Sequence, residues 1–353
     1  MSKFANERIN ALAAYVPGEQ PTDQKYIKLN TNESPYMPSP LICEHLTEEA
    51  ARLNLYPQPD GTVLINKIAD LLSVKPENVI LGNGSDEILN FAFLSFCSDK
   101  KGLAFPDVTY GFYKVMCEMY GIPYKEIPTD DKFNINLDDY MGLDCNIVIA
   151  NPNAPSGIYL SVEALEKVVA SNPENVVIID EAYVDFGNES AVKLIDKYDN
   201  LLITRTFSKS RSLAGARLGF AVGNENLIAD MNKVKFSTNP YNIDRLTQVI
   251  GASVIDNDSY YMNCCKEIVA TRKYTVNELS KMGFETIPSG TNFVFTRHPD
   301  LQGEEIYLKL KKMGILVRYF GGEKTKDYVR ITIGTKKEMT ALSFSLKKIL
   351  EGK

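Results

Sequence analysis

Short β-branched apolar runs alternate with helical patterns along the middle of the chain, and this alternation limits the possible folds more than any other feature. Segment 161–172, SVEALEKVVASN, has apolar residues at helical spacing and Ser161 at its predicted N-cap. Strands that are apolar on both faces favour a mostly parallel sheet covered by helices. We therefore predict an α/β fold. The runs are NVIL (78–81), CNIVIA (145–150), NVVIID (175–180), NLLIT (200–204) and LGFAVG (218–223).

The C-terminal part of the chain has a different order of predicted helices and strands. A long helical stretch at about 245–281 precedes strands such as NFVFTR (292–297) and YVRITIG (328–334), which helices separate. This order favours a smaller α+β domain, and 353 residues exceed the usual size of one simple core. We predict a large α/β domain at residues 40–245 and a small α+β domain formed by residues 1–39 with 246–353.

Charge and composition argue against several classes of partner and site. A formal net charge of −6 gives no general attraction to nucleic acid or to an anionic membrane. No segment has the roughly 18 apolar residues of a membrane span, and the N-terminus lacks the apolar core of a signal peptide. Six scattered cysteines and two histidines suit neither a disulfide framework nor a typical metal site. We expect a cytoplasmic protein with reduced thiols, no metal, and small-molecule partners.

Ligands of open α/β sheets bind at the carboxyl ends of the strands, so the residues after each run are the candidates. After NVIL, the sequence GNGSDE (82–87) has glycines that allow close approach of the backbone, and Ser85 and Asp86 open a helix. This pattern is typical of an anion site and equally of an ordinary capped turn. Asp180 ends NVVIID, where a carboxylate needs either a cationic partner or solvent.

The segment TFSKSRSLAGAR (206–217) follows the next strand and brings an amine, hydroxyls and a guanidinium to the same edge. The hydroxyls of Thr206 and Ser208 and the guanidinium of Arg217 suit a phosphate, and Lys209 can form a Schiff base with an aldehyde. One ligand needs all of these groups together with a strand-end carboxylate, namely pyridoxal phosphate. We therefore predict this cofactor.

With these motifs, the sequence resembles the fold type I pyridoxal-phosphate aminotransferases, and within them most closely the histidinol-phosphate aminotransferases. The motifs occur in the family's order and cover nearly the whole chain. The resemblance implies transfer of an amino group between histidinol phosphate and 2-oxoglutarate in histidine biosynthesis, with imidazole acetol phosphate and glutamate as products. Its motifs are LNTNESP (29–35), YPQPDG (56–61), GNGSDE, PDVTYGFY (106–113), NPNAPSG (151–157), DEAYVDF (180–186), TFSKSRSLAGARLGF (206–220) and VRITIG (329–334).

The resemblance also implies the roles of the residues around the cofactor. Lys209 is implied as the Schiff-base lysine and proton carrier, Asp180 as the partner of the pyridine nitrogen, and Tyr183 as a donor to the ring 3′-oxygen. Tyr110 is implied to stack on the ring. In this family, the tyrosine matching Tyr56 reaches the phosphate bound by the other subunit, which implies a homodimer with a shared active site. The resemblance further implies that the backbone at Gly84, Ser85 and Asp86 binds the phosphate together with Thr206, Ser208 and Arg217.

For the substrate, the resemblance implies that Arg330 grips an α-carboxylate and that Arg318 recognises the phosphate of histidinol phosphate. Tyr15 lies in a segment that closes over the substrate in this family, and Asn32 is the remaining implied substrate contact. The chain departs from the family at Ala154, where an asparagine usually hydrogen-bonds the ring 3′-oxygen. Either Tyr183 alone serves that oxygen, or Asn153 or a water compensates.

Other functions remain open at this point. Without a phosphate contact by Arg318, an aromatic or broad-specificity amino acid aminotransferase becomes the alternative. A lyase similar to threonine-phosphate decarboxylase would keep almost every cofactor residue and differ mainly in how it holds the α-carboxylate. A non-catalytic ligand sensor is disfavoured because no basic helix-turn-helix segment fits before residue 30.

Overall fold

The computed structural model describes residues 2–43 and 46–352. Its helices are α1 Glu7–Ala11, α2 Leu46–Ala50, α3 Thr62–Leu72, α4 Gly84–Phe96, α5 Phe112–Tyr120, α6 Val162–Ser171, α7 Glu225–Thr238, α8 Arg245–Asp256, α9 Asp258–Lys281, α10 Gly303–Lys312 and α11 Lys336–Glu351. Its strands are β1 Ile27–Lys28, β2 Val79–Gly82, β3 Leu103–Pro106, β4 Tyr124–Ile127, β5 Asn146–Ala150, β6 Val177–Asp180, β7 Leu201–Thr206, β8 Gly219–Gly223, β9 Glu285–Ile287, β10 Phe293–Arg297, β11 Ile315–Leu316, β12 Arg318–Tyr319 and β13 Tyr328–Thr332.

The large sheet has the strand order β2-β8-β7-β6-β5-β3-β4 within the described residues. All neighbouring pairs are parallel except those of β8, which runs antiparallel to both β2 and β7. On β5, Ile147 and Ile149 pack into one apolar cluster and Val148 packs into another on the opposite face. Because helices cover both faces, the central strands are mostly apolar, whereas the edge strand β4 has the exposed residues Lys125 and Glu126. The prediction of a mostly parallel α/β sheet is confirmed.

The smaller part of the fold contains an antiparallel sheet of order β12-β13-β10-β9 with α9, α10 and α11 against it. The N-terminal segment joins this part because β1 pairs in parallel with β11, with Ile27 opposite Ile315. A smaller α+β domain was predicted here, and the fold class is confirmed. The predicted division between residues 245 and 246 remains a prediction. It groups α8 with the small domain, whereas Val254 of α8 packs in the core beside the large sheet.

The helical stretch at about 245–281 consists of two helices in the structure. Asn257 separates α8 from α9, and its side-chain amide donates a hydrogen bond of 2.9 Å to the carbonyl oxygen of Ser253. An asparagine side chain that caps the preceding carbonyls ends a helix in this way. Apolar periodicity continues through this break, so it predicted one helix. Across the described chain, none of the helices has both the length and the apolar character needed to cross a membrane.

Candidate active site

A cavity of about 750 Å³ lies between the large sheet and the smaller domain. Tyr183, which follows β6, and Lys209, which follows β7, line this cavity from the side of the large sheet. They lie close together because the parallel strands β6 and β7 end at the same edge. β12 and β13 contribute from the other side, and the N-terminal segment covers part of the opening. The predicted site residues that line this cavity are Tyr15, Asn32, Tyr110, Tyr183, Lys209, Arg318 and Arg330.

Lys209 lies three residues beyond the end of β7, and its Nζ donates a hydrogen bond of 3.1 Å to the carbonyl oxygen of Thr31. Burial lowers the pKa of this lysine to about 8, and the nearby positive charge of Arg330 acts in the same direction. A lysine with this pKa is partly neutral near physiological pH. A neutral amine is the form that acts as a nucleophile and as a base.

Asp180 ends β6 and is only 4% exposed. Its Oδ2 accepts a hydrogen bond of 2.7 Å from the hydroxyl of Tyr113, whereas its Oδ1 has no hydrogen-bond partner among the described residues. Burial raises the pKa of this carboxyl group, and the Tyr113 hydrogen bond opposes that rise. A buried carboxylate with a free oxygen is suited to a ligand that brings a protonated nitrogen.

The turn after β2 and the loop before β8 meet at the start of α4. Arg217 Nη2 lies 3.0 Å from Asp86 Oδ2, and the other oxygen of Asp86 accepts a hydrogen bond of 2.9 Å from Tyr110. Gly84 has a φ of +78°, and a Cβ there would lie 2.6 Å from Arg217 Nη2. A side chain at position 84 would therefore push the guanidinium away, so glycine allows the two segments to meet.

The backbone at this end of α4 is also held close to β8. A Cβ on Gly219 would lie 2.5 Å from the backbone nitrogen of Ser85. On the neighbouring loop, the Ser208 backbone N–H donates to Thr206 Oγ1 at 3.1 Å, and the buried Ser208 hydroxyl has no partner among the described residues. The region thus combines a helix N-terminus, an unpaired hydroxyl and a guanidinium, which together suit an anion.

Tyr183 is linked to the N-terminal segment, a contact that sequence analysis did not predict. Asn32 Nδ2 donates a hydrogen bond of 2.8 Å to the Tyr183 hydroxyl, and Asn32 Oδ1 accepts one of 3.0 Å from Thr332. Ala154 packs in the apolar cluster that contains Tyr183. The side chain of Asn153 is engaged elsewhere, with Thr109 at 2.7 Å and with the carbonyl oxygen of Val108 at 2.9 Å. The Asn153 amide thus has its hydrogen bonds away from Tyr183 in the described chain.

Two arginines face each other across β12 and β13, because Arg318 pairs in register with Arg330. The Arg330 guanidinium lies 5.2 Å from the ring centre of Phe293 and 5.3 Å from that of Phe320, and its Nη2 donates to the carbonyl oxygen of Asn30 at 3.1 Å. Its Nε has no partner in the described chain. Like charges directly opposite each other on a sheet are destabilising. An anionic ligand in the cavity would offset the repulsion between these two arginines.

The N-terminal segment is held over the cavity by Arg318. This residue donates hydrogen bonds of 2.9 Å and 3.1 Å to the carbonyl oxygens of Val16 and Pro17. Tyr15 meets Phe112 edge-on, with ring centres 5.7 Å apart, and lies near Tyr110 at 6.1 Å. The segment containing Tyr15 is thereby placed at the cavity wall.

The predicted cofactor residues at the strand ends do not themselves line this cavity, namely Gly84, Ser85, Asp86, Asp180, Thr206, Ser208 and Arg217. Tyr56 does not line it either. Its side chain is 77% exposed and stacks on Tyr241, with ring centres 4.4 Å apart and an interplanar angle of 19°. Its predicted role in another subunit's site remains a prediction.

Sequence analysis missed Tyr113, the hydrogen-bond partner of Asp180. The residue belongs to the motif PDVTYGFY. Tyr113 lies in the first turn of α5, and Tyr110 lies just before that helix, three positions earlier. Spacing of three residues places side chains on one face of a helix. That spacing could have indicated a second tyrosine facing the strand ends.

Comparisons with known proteins agree with this geometry. The family model for aminotransferase class I and II matches residues 24–344. The chain is 49% identical over 351 residues to a histidinol-phosphate aminotransferase from Marinomonas sp. (strain MWYL1), covering 98% of this chain and 99% of that relative.

Two solved structures share the fold. The histidinol-phosphate aminotransferase of Sinorhizobium meliloti, solved in complex with pyridoxal-5′-phosphate, matches with a TM-score of 0.88 at 20% identity, covering 100% of this chain and 99% of that one. The L-threonine-O-3-phosphate decarboxylase of Porphyromonas gingivalis matches with a TM-score of 0.78 at 21% identity, covering 92% and 99%. At these identities the likeness shows the fold alone.

Fold, site and family model together define a class I and II aminotransferase, and this chain belongs to that family. Within the class it belongs to the family of histidinol-phosphate aminotransferases, as its full-length relatives show. The predictions of the family and of an aminotransferase are confirmed.

Proposed function

We propose that this pyridoxal-phosphate-dependent aminotransferase interconverts histidinol phosphate and imidazole acetol phosphate, with 2-oxoglutarate and glutamate as the second pair. The observation that carries the substrate proposal is the facing pair Arg318 and Arg330 at the cavity that contains Lys209. Histidinol phosphate has a phosphate group and glutamate has carboxylates, so each substrate has an anionic group that can bind these two arginines. The naming of full-length relatives at 42–49% identity supports the same substrate.

The residues present fit the cofactor. Asp180 Oδ1 and Ser208 Oγ are buried without partners in the described chain, and Gly84 leaves room for a guanidinium beside the start of α4. Asp180 would hold the pyridine nitrogen, Tyr183 the ring 3′-oxygen, Tyr110 the ring face and Lys209 the aldehyde carbon. The phosphate would be held by backbone N–H groups at Gly84, Ser85 and Asp86 together with Thr206, Ser208 and Arg217. When bound, the cofactor supplies an aldehyde for amino groups and a ring that accepts electrons from the substrate α-carbon.

Lys209 carries the proton in this mechanism. With a pKa of about 8, this lysine is available as a neutral amine at the cavity wall. There it removes the proton from the α-carbon of the amino donor, and in the second half-reaction it delivers a proton to the α-carbon of the new amino acid. The carbonyl oxygen of Thr31 accepts a hydrogen bond from the lysine nitrogen at 3.1 Å and orients it. With the cofactor bound, Asp180 would keep the pyridine nitrogen protonated, and the Tyr113 hydroxyl, which donates to Asp180 Oδ2, orients that carboxylate.

Arg330 binds the α-carboxylate of glutamate or 2-oxoglutarate, because a planar fork of N–H donors matches a planar carboxylate. Arg318 binds the phosphate of histidinol phosphate. Its guanidinium already joins strand β12 to the carbonyl oxygens of Val16 and Pro17, so substrate recognition and the position of the N-terminal segment are linked. Asn32 and Tyr15 complete the substrate site.

The enzyme works as a homodimer in which Tyr56 enters the site of the other subunit. Apolar side chains around Tyr56 are exposed in the single chain, among them Leu41, Leu53, Leu55 and Val63. An exposed apolar surface of this kind is typical of a subunit interface. The cytoplasmic location stays a prediction.

Product analysis tests this function against the two alternatives. The purified enzyme with pyridoxal phosphate is given histidinol phosphate, phenylalanine or threonine phosphate, each with 2-oxoglutarate. We expect glutamate and a phosphorylated ketone from histidinol phosphate, at a kcat/KM well above that for phenylalanine, and no carbon dioxide from threonine phosphate. Equal use of phenylalanine would indicate a broad-specificity aminotransferase, and release of carbon dioxide would indicate a decarboxylase.

A further inference from the structure

The loop that contains Tyr56 is held by side chains of α7 and α8 through its backbone carbonyl groups. Arg245 Nη2 donates to the Tyr56 carbonyl oxygen at 2.7 Å, and Gln248 Nε2 donates to that of Gln58 at 2.9 Å. Lys235 Nζ donates to the carbonyl oxygen of Pro59 at 3.0 Å. Three separate donors thus hold one short loop.

Lys235 is unusual among these donors because it is only 2% exposed. In the described chain its Nζ donates to a carbonyl oxygen and forms no ion pair. A buried ammonium group is costly, and burial lowers the pKa of Lys235. An apolar side chain of similar length would fill the space without this cost. The hydrogen bond to Pro59 is therefore what the lysine contributes.

The loop has further restraints on both sides. Arg245 also binds Glu49 at 2.9 Å, which ties the loop to α2. Gly61 ends the loop with a φ of +64°, and a Cβ there would lie 2.6 Å from a methyl group of Leu81. The Tyr56 ring itself stacks on Tyr241, in the connection between α7 and α8. The loop backbone is thus held by several contacts, whereas the side chain of Tyr56 is largely exposed.

We propose that Lys235, with Arg245 and Gln248, positions Tyr56 so that its hydroxyl meets the phosphate bound by a second copy of the chain. This inference rests on the proposed function, in which Tyr56 crosses the subunit interface. Among the described residues, the hydrogen bonds of these three side chains go to the Tyr56 loop, Glu49 and Ile243, and none goes to a residue that lines the cavity. We therefore expect them to act through the loop, on the other subunit's site.

Hybrid dimers test this directly. One subunit keeps Lys209 and the other, differently tagged, carries Lys209→Ala, so borohydride can fix the cofactor in only one site. Lys235→Met is placed either in the subunit with Lys209 or in its partner. The readout is the pyridoxal phosphate concentration needed to half-fill the Lys209 site, counted as borohydride-fixed cofactor by mass spectrometry.

We expect the required concentration to rise about three- to tenfold when Lys235→Met lies in the subunit lacking Lys209, and to stay unchanged when it lies in the subunit with Lys209. The matched control is Lys233→Met, the same change on the same helix at an exposed lysine that pairs with Asp230. It should leave both arrangements unchanged. Equal effects of Lys235→Met in both arrangements, or none in either, would overturn the proposal.

Tyr56→Phe in the same two arrangements separates this inference from the proposed function. If Tyr56→Phe acts from the opposite subunit and Lys235→Met does not, the shared site stands and the positioning role is wrong. If Tyr56→Phe has no effect from the opposite subunit, the shared site fails and the positioning role fails with it. Gln248→Leu replaces Lys235→Met in the design if thermal melting shows that the lysine variant does not fold.

Discussion

The phenol of Tyr113 donates a hydrogen bond of 2.7 Å to Oδ2 of Asp180, joining residues 67 positions apart beside Tyr110, which lines the candidate active site. Tyr113 is fully buried at the start of α5, so its orientation is fixed by packing against residues such as Phe93 and Phe105. Among the residues that the structure describes, the other oxygen of Asp180 has no hydrogen-bond partner, so it is available to a ligand.

Tyr113→Phe removes this hydrogen bond and keeps the ring. Leaving a buried carboxylate oxygen unpaired costs about 1–3 kcal/mol, so we expect a lower free energy of unfolding in urea and a kcat reduced up to about tenfold. Tyr120→Phe is the control, because Tyr120 lies on the same helix and bonds Asn90 away from the cavity. It should affect stability without changing kcat. Full activity of Tyr113→Phe would show that the carboxylate needs no such support.

Asp180→Asn keeps the size of the side chain and removes its negative charge. We expect the cofactor to bind still, because the phosphate site is unchanged, and kcat to fall about 10²- to 10³-fold, because the ring nitrogen loses the charge that keeps it protonated. Steady-state rates at saturating cofactor measure this effect, with binding followed separately by absorbance. Near-normal turnover would mean that Asp180 is not the partner of the ring nitrogen.

The two facing arginines should affect different half-reactions. Arg318→Ala removes a charge-assisted contact to phosphate, so the single-turnover rate with histidinol phosphate should fall about ten- to hundredfold while that with 2-oxoglutarate changes little. Arg330→Ala should slow the half-reaction with 2-oxoglutarate, which has an α-carboxylate. Equal losses in both half-reactions for Arg318→Ala would remove the main support for a phosphorylated substrate.

The reactivity of Lys209 in the cofactor-free protein should depend on pH near its lowered pKa of about 8. Only the neutral amine reacts with an acylating reagent, so labelling of Lys209 should rise as the pH passes upward through 8. The positive charge of Arg330 helps to lower this pKa. Arg330→Gln should therefore move the labelling midpoint to higher pH, as measured by quantitative mass spectrometry. An unchanged midpoint would mean that Arg330 does not contribute to the lowered pKa of Lys209.

The positions of Lys209, Asp180 and the GNGSDE turn were predictable, because apolar runs mark parallel strands and such strands end at one edge of the sheet. Contacts between distant segments were not. The hydrogen bonds from Tyr113 to Asp180 and from Asn32 to Tyr183 depend on how helices and the N-terminal segment pack, which periodicity does not record. The carbonyl partners of Arg318 likewise come from a segment about 300 residues earlier in the chain.

Lys209→Ala tests whether this lysine is essential to the reaction but not to the fold. The variant should lose transamination because the side chain is both the anchor and the base, whereas circular dichroism and the melting temperature should remain close to those of the wild type. Removing a buried amine with a lowered pKa leaves the core of the large sheet intact. Substantial remaining turnover would assign the proton transfer to another residue.

Borohydride reduction of the holoenzyme, followed by proteolysis and mass spectrometry, tests the central claim most directly. The wild-type protein should be yellow before reduction, and the peptide that spans residues 206–217 should carry one reduced pyridoxyl phosphate on Lys209. The same treatment of Lys209→Ala should leave that peptide unlabelled. A label on a different lysine, or no label in the wild-type protein, would contradict the assignment of Lys209 as the residue that holds the cofactor.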